Sequence, residues 1–405
     1  MEKDFLTAEE AANILGVSLA TLYAYVSRKG LRSRQIPGSR ARQYWRADIE
    51  RIASRAKPVS PVAGELQRES EITLMSESGP YYRGSSAIAL SETATLEQVA
   101  ALLWEIDEQD IATSPAPRGD RNFADRDAAL GGGSGVDRAI AHFSFLEQAN
   151  PRSFDLSPAG MAKSGIDIIR WLTAILLRHD KPSPDPIHQQ FGKALKLPAE
   201  LTDLVRRILI LSADHGLEQS TFAVRAVAST GVTPWRAVAT GLAVTAGRRS
   251  RFGYSDAIRR FLGDILSADN PEEPIIRRLR EGETLPGFAS AVYTQGDPRA
   301  RAVLDCCDAI FARDPAYERF RHALRMALEL QDLKPAFVLA IGFAGVKLGL
   351  LDLGSAGLPV RPELPPFLVG RAVGWVAHAI EQYKIGEAER KELIYRGRLP
   401  EKLRG

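Results

Sequence analysis

Cysteine is nearly missing from this sequence of 405 residues, which holds only Cys306 and Cys307, side by side. Adjacent cysteines seldom bridge each other, and two thiols alone cannot complete a four-ligand zinc site. Both are read as reduced, helix-borne residues of a cytoplasmic protein, and no metal ligand is assigned. No apolar run reaches the roughly 18 residues of a membrane-spanning helix. The opening MEKDFLTAEEAANIL has early acids and no long apolar core, so no secretory signal is expected. Strand-like alternation is scarce outside residues 71–83, and no internal repeat is visible. The cluster Gly131-Gly132-Gly133-Ser134-Gly135 lacks the Gly-Lys-Ser/Thr that a phosphate loop requires. Residues 112–136 are instead expected to form a flexible surface insertion.

What is present begins with an uneven distribution of charge. The net charge is +3, yet residues 1–57 hold eleven Lys/Arg against six acids. A basic end on a slightly acidic body directs any polyanionic partner to the N-terminus. From Phe5 the sequence reads as a helix opening, with Thr7 as N-cap and Glu10 three residues on as the second half of a capping box. Gly16-Val17-Ser18 marks a tight turn, and a second helix is expected from Leu19 to about Ser27. Leu31 to Trp45 has two short extended runs around Pro37-Gly38-Ser39, the pattern of a basic β-hairpin or wing. A closing helix is expected over 46–52. This order resembles the DNA-binding head of the MerR and excisionase families over about the first 55 residues. The resemblance places Thr21, Tyr23 and Ala24 at a major groove, and Arg34, Arg40 and Arg42 of the wing against phosphate or minor groove. It also implies DNA as a partner and a dimer that reads two half-sites.

The expected division is a helix-turn-helix domain over 1–56, a polar, proline-containing linker over 57–70 and a helical body over 71–405, with a small subdomain at about 225–330. Helical periodicity runs in long blocks: 95–106, 137–148, 158–179, 199–213, 217–230, 234–246, 254–267, 300–311, 316–331, 335–350, 366–382 and 386–394. The body is therefore expected to be mainly α, with helices packed in layers.

Four strings in the body resemble citrate synthase, in family order. The first is Pro80-Tyr81-Tyr82-Arg83-Gly84 with the segment from Leu96 to Trp104. The second runs Ser212-Ala213-Asp214-His215-Gly216-Leu217-Glu218-Gln219-Ser220-Thr221-Phe222-Ala223. The third joins Gly287-Phe288 and Val292-Tyr293 to Gly296-Asp297-Pro298-Arg299-Ala300. The fourth runs from Gly370-Arg371 to Glu381-Gln382. The resemblance implies large and small helical domains and a site for oxaloacetate or a citrate-like polycarboxylate. Acetyl-CoA or another acyl-CoA is the implied co-substrate or ligand, and no tightly held cofactor is implied. Planar guanidinium forks suit carboxylates, and the resemblance puts that role on Arg299, Arg371 and Arg396, with His215 on the same ligand. Arg398 is the alternative to Arg396. A surface salt bridge is the competing account of each arginine.

Citrate or 2-methylcitrate synthesis needs a base for the α-carbon and donors for two oxygens. The family uses two histidines and an aspartate, and this sequence departs from it at each. Arg251 stands at the first histidine, Ser290 at the second, and Ala336 or Phe337 at the aspartate. No Asp or Glu occurs from Leu333 to Leu351. Arg251 stays protonated and cannot act as a base. Asp256 or Asp332 could supply the carboxylate only after a rearrangement; otherwise Asp256 opens a helix and Asp332 ends one. Three functions follow: a ligand-sensing DNA-binding regulator without catalysis, an inactive subunit of a heteromer with an active citrate synthase-like partner, or an acyltransferase of the tricarboxylic acid cycle with an unusual site. The first and third fit a homodimer.

Overall fold

The computed structural model describes residues 5–29, 31, 33–36, 39, 41–46, 48, 49, 69–216, 218–247, 254–288, 292–351, 353 and 364–386. The chain divides into two compact units, Met1–Glu65 together with Glu389–Gly405, and Leu66–Ala388.

In the first unit, helices α1 (Ala8–Leu15) and α2 (Leu19–Lys29) flank a turn at Gly16, whose φ of 62° is left-handed. Only glycine adopts that conformation cheaply, and it closes α1. The capping box is formed: the Glu10 amide donates to the Thr7 hydroxyl at 3.2 Å, and the Thr7 amide donates to Glu10 at 2.7 Å. Strands β2 (Ser33–Gln35) and β3 (Arg42–Trp45) pair antiparallel, as expected of the wing. Helix α1 starts after the Thr7 cap, as expected, and ahead of it β1 (Phe5–Leu6), a strand outside the expected pattern, pairs with β3 to make a three-stranded sheet. The Phe5 ring meets Trp45 edge-on at 4.8 Å, and Leu6 joins the small core of Leu15, Leu22, Leu31 and Tyr44. Phe5 and Leu6 point to opposite faces of the strand, so β1 gains a cross-strand aromatic contact on one side and core burial on the other.

The second unit opens with a three-stranded antiparallel sheet, β4 (Thr73–Ser76), β5 (Gly79–Tyr82) and β6 (Ser85–Ser86). Helices follow: α3 (Ala87–Thr93), α4 (Leu96–Trp104), α5 (Glu108–Ala112), α6 (Phe123–Ala129), α7 (Gly135–Ala149), α8 (Pro158–Leu176), α9 (Ile187–Leu195) and α10 (Ala199–Leu211). Then come α11 (Gln219–Ala228), α12 (Pro234–Thr245), α13 (Tyr254–Ser267), α14 (Glu273–Arg280), α15 (Pro298–Ile310), α16 (Pro315–Gln331), α17 (Phe337–Lys347) and α18 (Pro365–Ile385). The eleven long periodic blocks from 95–106 to 366–382 all correspond to helices, whereas the short helices α3, α5, α6, α9 and α14 fall outside the periodic pattern. The expected helix at 386–394 lies outside the described residues, except for Gly386, which ends α18 with a φ of 90°.

Helix α18 organises the body. It packs against α8, α10, α11, α12 and α4, and it is buried on every face, with Trp375 fully enclosed. Apolar residues all round a helix of this length leave burial as its only stable placement. Helices α16 and α17 both pack on α13, Phe320 of α16 stacks on Phe343 of α17 at 4.4 Å, and α15 bridges α17 to α10.

Residues 112–136 lie largely at the surface, as expected of an insertion, but carry α6 and are tied to the body. Phe123 is buried and stacks on His142 at 4.1 Å, and Arg170 donates to the carbonyls of Ser114 and Pro115 at 2.8 and 2.9 Å. Glycine content signals turn geometry, but one buried aromatic and one guanidinium are enough to fasten a loop.

Candidate functional site

Three of the four residues assigned to ligand binding converge. His215 follows the C-terminus of α10, Arg371 lies on α18 and Arg299 in the first turn of α15. Burial excludes the surface-salt-bridge account for both arginines: Arg371 is 1% exposed and Arg299 6%. Arg371 donates from Nε to the Ser212 carbonyl at 2.8 Å and from Nη1 to Glu218 at 2.6 Å. Glu218 also meets His215 Nδ1 at 3.1 Å, and His215 Nε2 lies 3.0 Å from the Tyr293 hydroxyl. A carboxylate only accepts, so Nδ1 of His215 carries the proton and Nε2 accepts from Tyr293. Arg299 grips both oxygens of Asp297, at 3.1 and 2.8 Å, and its guanidinium lies 5.7 Å from the Tyr293 ring and 4.6 Å from the Phe337 ring. An unbroken path of contacts thus runs from Arg371 to Arg299.

The electrostatics follow from this packing. Burial opposes ionisation of Glu218, yet Arg371 and then His215 and Arg299 hold its carboxyl down to about 2. Burial pushes His215 below the ordinary histidine range, and the Arg299 charge adds to this, so the ring is neutral at pH 7. Burial works against the Arg299 charge too, but the Asp297 carboxylate outweighs it and raises the guanidinium pKa.

A second set, buried at Asp214, His378 and Arg225 and partly buried at Glu381, lies behind His215. Asp214 accepts from the Gly216 amide at 2.9 Å, and its other oxygen lies 3.2 Å from His378 Nε2. His378 Nδ1 faces Arg225 at 3.2 Å, and Arg225 also donates to Glu381. Glu381 in turn accepts from the Glu71 amide at 2.7 Å and from the Ser70 hydroxyl at 3.3 Å. Burial opposes the Asp214 charge, but His378 and Arg371 keep its carboxyl far below the usual range. The Tyr82 hydroxyl, 2.9 Å from the Ile210 carbonyl and 3.2 Å from that of Asp214, ties this turn to β5, and burial pushes its pKa up to about 12.

The expected catalytic positions are placed as follows. Ala336 is the N-cap of α17 and Phe337 its first residue. The Ala336 amide donates to the Gly287 carbonyl at 2.8 Å, and Phe288 bridges Pro335. The Phe337 amide donates to Asp297 at 3.3 Å, so this helix start is anchored to the Arg299 pair. Arg251, Ser290, Arg396 and Arg398 lie outside the described residues. Asp256 sits in the first turn of α13, paired with Arg259 and Arg260, and Asp332 is the left-handed C-cap of α16, as the alternative to a catalytic role requires. In the first unit, Tyr23 is 54% exposed and the Thr21 hydroxyl meets Ser18 at 2.9 Å. Arg42 donates to Ser33 at 3.0 Å. Arg34 lies in β2, its side chain outside the described set, as is all of Arg40.

Sequence reasoning did not single out Glu218, Tyr293, Asp297 or the Arg225–His378–Glu381 set. One signal was available: Arg371 and His378 are two helical turns apart and share a face.

A family model described as the citrate synthase C-terminal domain matches residues 137–398. The chain belongs to the citrate synthase family. A helix-turn-helix domain model matches residues 5–56 ahead of it. The chain is 28% identical to "Putative citrate synthase 2" of Mycobacterium tuberculosis (strain ATCC 25618 / H37Rv) over 244 residues, 59% of this chain and 61% of that protein. It is 31% identical to the citrate synthase of Haloferax volcanii over 200 residues, 47% of this chain and 48% of the other. The chain thus spans less than two thirds of these curated relatives. Among solved structures, citrate synthase from Pyrobaculum aerophilum superposes with a TM-score of 0.69 at 18% identity, over 92% of this chain and 98% of that one. Thermoplasma acidophilum citrate synthase, solved as a ternary complex with carboxymethyl coenzyme A and oxaloacetate, superposes with a TM-score of 0.68 at 18% identity, over 83% and 96%. At that identity the superpositions speak to the citrate synthase fold. No helix among the described residues is long and apolar enough to cross a membrane.

Proposed function

We propose that this citrate synthase-family chain is a cytoplasmic, DNA-binding regulator whose body holds a small carboxylate, with an acyl-CoA as second ligand, and does not condense the two. The observation that carries this reading is the start of α17. Where the resemblance calls for an aspartate base stand Ala336 and Phe337, and the Phe337 ring packs on Arg299. Removing one group of this kind commonly costs about 10²–10⁴ in rate. No carboxylate lies between residues 333 and 351 to replace it. The buried arginine–histidine constellation supports retention of an anion site, and the basic helix-turn-helix head supports a DNA partner. In a dimer, a ligand bound more tightly by one body conformation would change the spacing of two such heads.

The names of the relatives favour a second reading, an active citrate or 2-methylcitrate synthase with a rearranged site. Release of CoA from acetyl-CoA or propionyl-CoA plus oxaloacetate separates the two. The regulator reading expects no turnover above background; family-like turnover overturns it. A parallel measurement of binding to its own upstream DNA at two salt concentrations should show sequence preference and a steep salt slope.

A further inference from the structure

We propose that the apolar strip formed by Leu19 and Tyr23 on α2 reads thymine: the head selects A·T-rich DNA by covering thymine C5-methyl groups in the major groove, not by hydrogen bonds to base edges. The inference rests on the reading of the first unit as a DNA-binding head and names the chemistry by which that head discriminates.

Charge identifies what the strip meets. From Ala11 to Ala47 the sequence has no Asp or Glu and seven Lys/Arg. Glu10, the last acid before that stretch, is held in the α1 cap by the Thr7 amide. A stretch of one sign that carries an apolar strip complements duplex DNA, which sets phosphates on the outside and base edges in the groove between them. The strip itself is exposed. Leu19 is 40% and Tyr23 54% accessible, while Leu22 between them is fully buried in the small core. Residues four apart are neighbours on a helix surface, so Leu19 and Tyr23 form one patch.

The means for hydrogen-bonded readout are missing from this part of the helix. Leu19 to Val26 contains no Arg, Lys, Asn, Gln, Asp or Glu, the side chains that pair with guanine, adenine or cytosine edges. The Ser18 and Thr21 hydroxyls meet each other at 2.9 Å, and Ser18 also accepts from the Thr21 amide at 3.2 Å, so both are engaged in starting the helix. The Tyr23 hydroxyl is the one polar group on the strip. An apolar side chain pressed against a G·C pair strips water from polar edge groups without replacing it, which is costly. Against an A·T pair it covers the thymine methyl, the apolar group of the major groove. Covering one methyl is worth about fourfold in affinity, and two such contacts about tenfold or more. Phosphate contacts from the basic residues add affinity without discriminating.

The test is fluorescence anisotropy of the full-length protein, at matched salt, on three duplexes of equal length: alternating A and T, the same with deoxyuridine for every thymidine, and alternating G and C. Deoxyuridine removes the methyl and keeps every hydrogen-bonding edge. The wild type should prefer the thymidine duplex to the deoxyuridine one by about tenfold, and should bind the G·C duplex more weakly than the thymidine one. Leu19→Ala and Tyr23→Ala should each lower the thymidine-to-deoxyuridine ratio by about fourfold. Arg42→Ala should weaken both of those duplexes alike. Equal binding to the thymidine and deoxyuridine duplexes, tighter binding to the G·C duplex, or a ratio unchanged in both α2 variants overturns the inference while leaving DNA binding standing. No binding to any of the three at low salt removes the DNA reading and the inference with it, and assigns the strip to a protein contact. Should a variant lose its helices, as judged by circular dichroism, the wild-type ratio still decides.

Discussion

Gly374→Ala should destabilise the protein although it improves helix propensity. Helix α18 carries both Arg371 and His378, and it lies tight against the turn that holds Asp214 and His215. A Cβ at position 374 would stand 2.8 Å from Asp214 Oδ1, 3.1 Å from Asp214 Cβ, and closer still to the Ala213 carbonyl oxygen. Carbon–oxygen contacts settle at about 3.3–3.6 Å, so the helix or the turn must retreat by about 1 Å. The obstacle is backbone, with no flexible tip to swing aside. On an exposed helix the same change gains about 1 kcal/mol. Overpacking a filled core costs about 1–3 kcal/mol and occasionally more. A backbone obstacle that cannot swing aside puts the cost in the upper part of that range, about 2–3 kcal/mol, so a net loss of about 1–2 kcal/mol is expected. Urea unfolding at pH 7, followed by far-ultraviolet circular dichroism, measures it. Gly119→Ala is the control: an added Cβ there meets nothing within 4 Å, and the change should stay within about 0.5 kcal/mol. A Gly374→Ala protein as stable as wild type would refute the close approach of α18 to the Asp214 turn.

Three further expectations follow from the same geometry. Holding the Glu218 carboxyl at about 2, against an ordinary 4.5, stabilises the fold by about 3 kcal/mol. Because the folded value is depressed, this stability is present above about pH 4.5 and is lost as pH falls toward 2. Urea midpoints of wild type and Glu218→Gln should therefore converge on acidification, and parallel pH profiles would contradict the Arg371–Glu218 pairing. Arg225→Met should cost about 3–5 kcal/mol in the same unfolding assay, because it leaves Glu381 and His378 buried without their cation; a loss under about 1 kcal/mol would count against the buried set. Arg42→Ala should weaken DNA binding evenly across sequences and reduce the salt slope by about 1 in a titration; an unchanged slope would remove Arg42 from the phosphate contacts.

Legibility differed between the parts for identifiable reasons. The capping box at Thr7 and Glu10 and the hairpin from Ser33 to Trp45 are local, so their residues announce them. Strand β1 is not: Phe5 and Leu6 become a strand only because Trp45 and Tyr44 stand opposite. The long amphipathic blocks were readable from periodicity, whereas α6 hid in a glycine-rich stretch until Phe123 was seen against His142. At the site, the strings pointed to His215, Arg299 and Arg371. They did not reveal that Glu218 and Asp297 already neutralise the two arginines.

By itself, the sequence determined the residue inventory: a basic head, a helical body with arginines in family order, and no carboxylate from residue 333 to 351. Those follow from composition, period and order, which the chain carries wherever it folds. Only the tertiary structure decided pairing. Tyr82, Asp214, Arg225 and His378 come from four different segments, and burial removes the water that would otherwise satisfy each of them. Each polar group must then take its partner from whichever helix packs against it, and that packing cannot be read from any single segment.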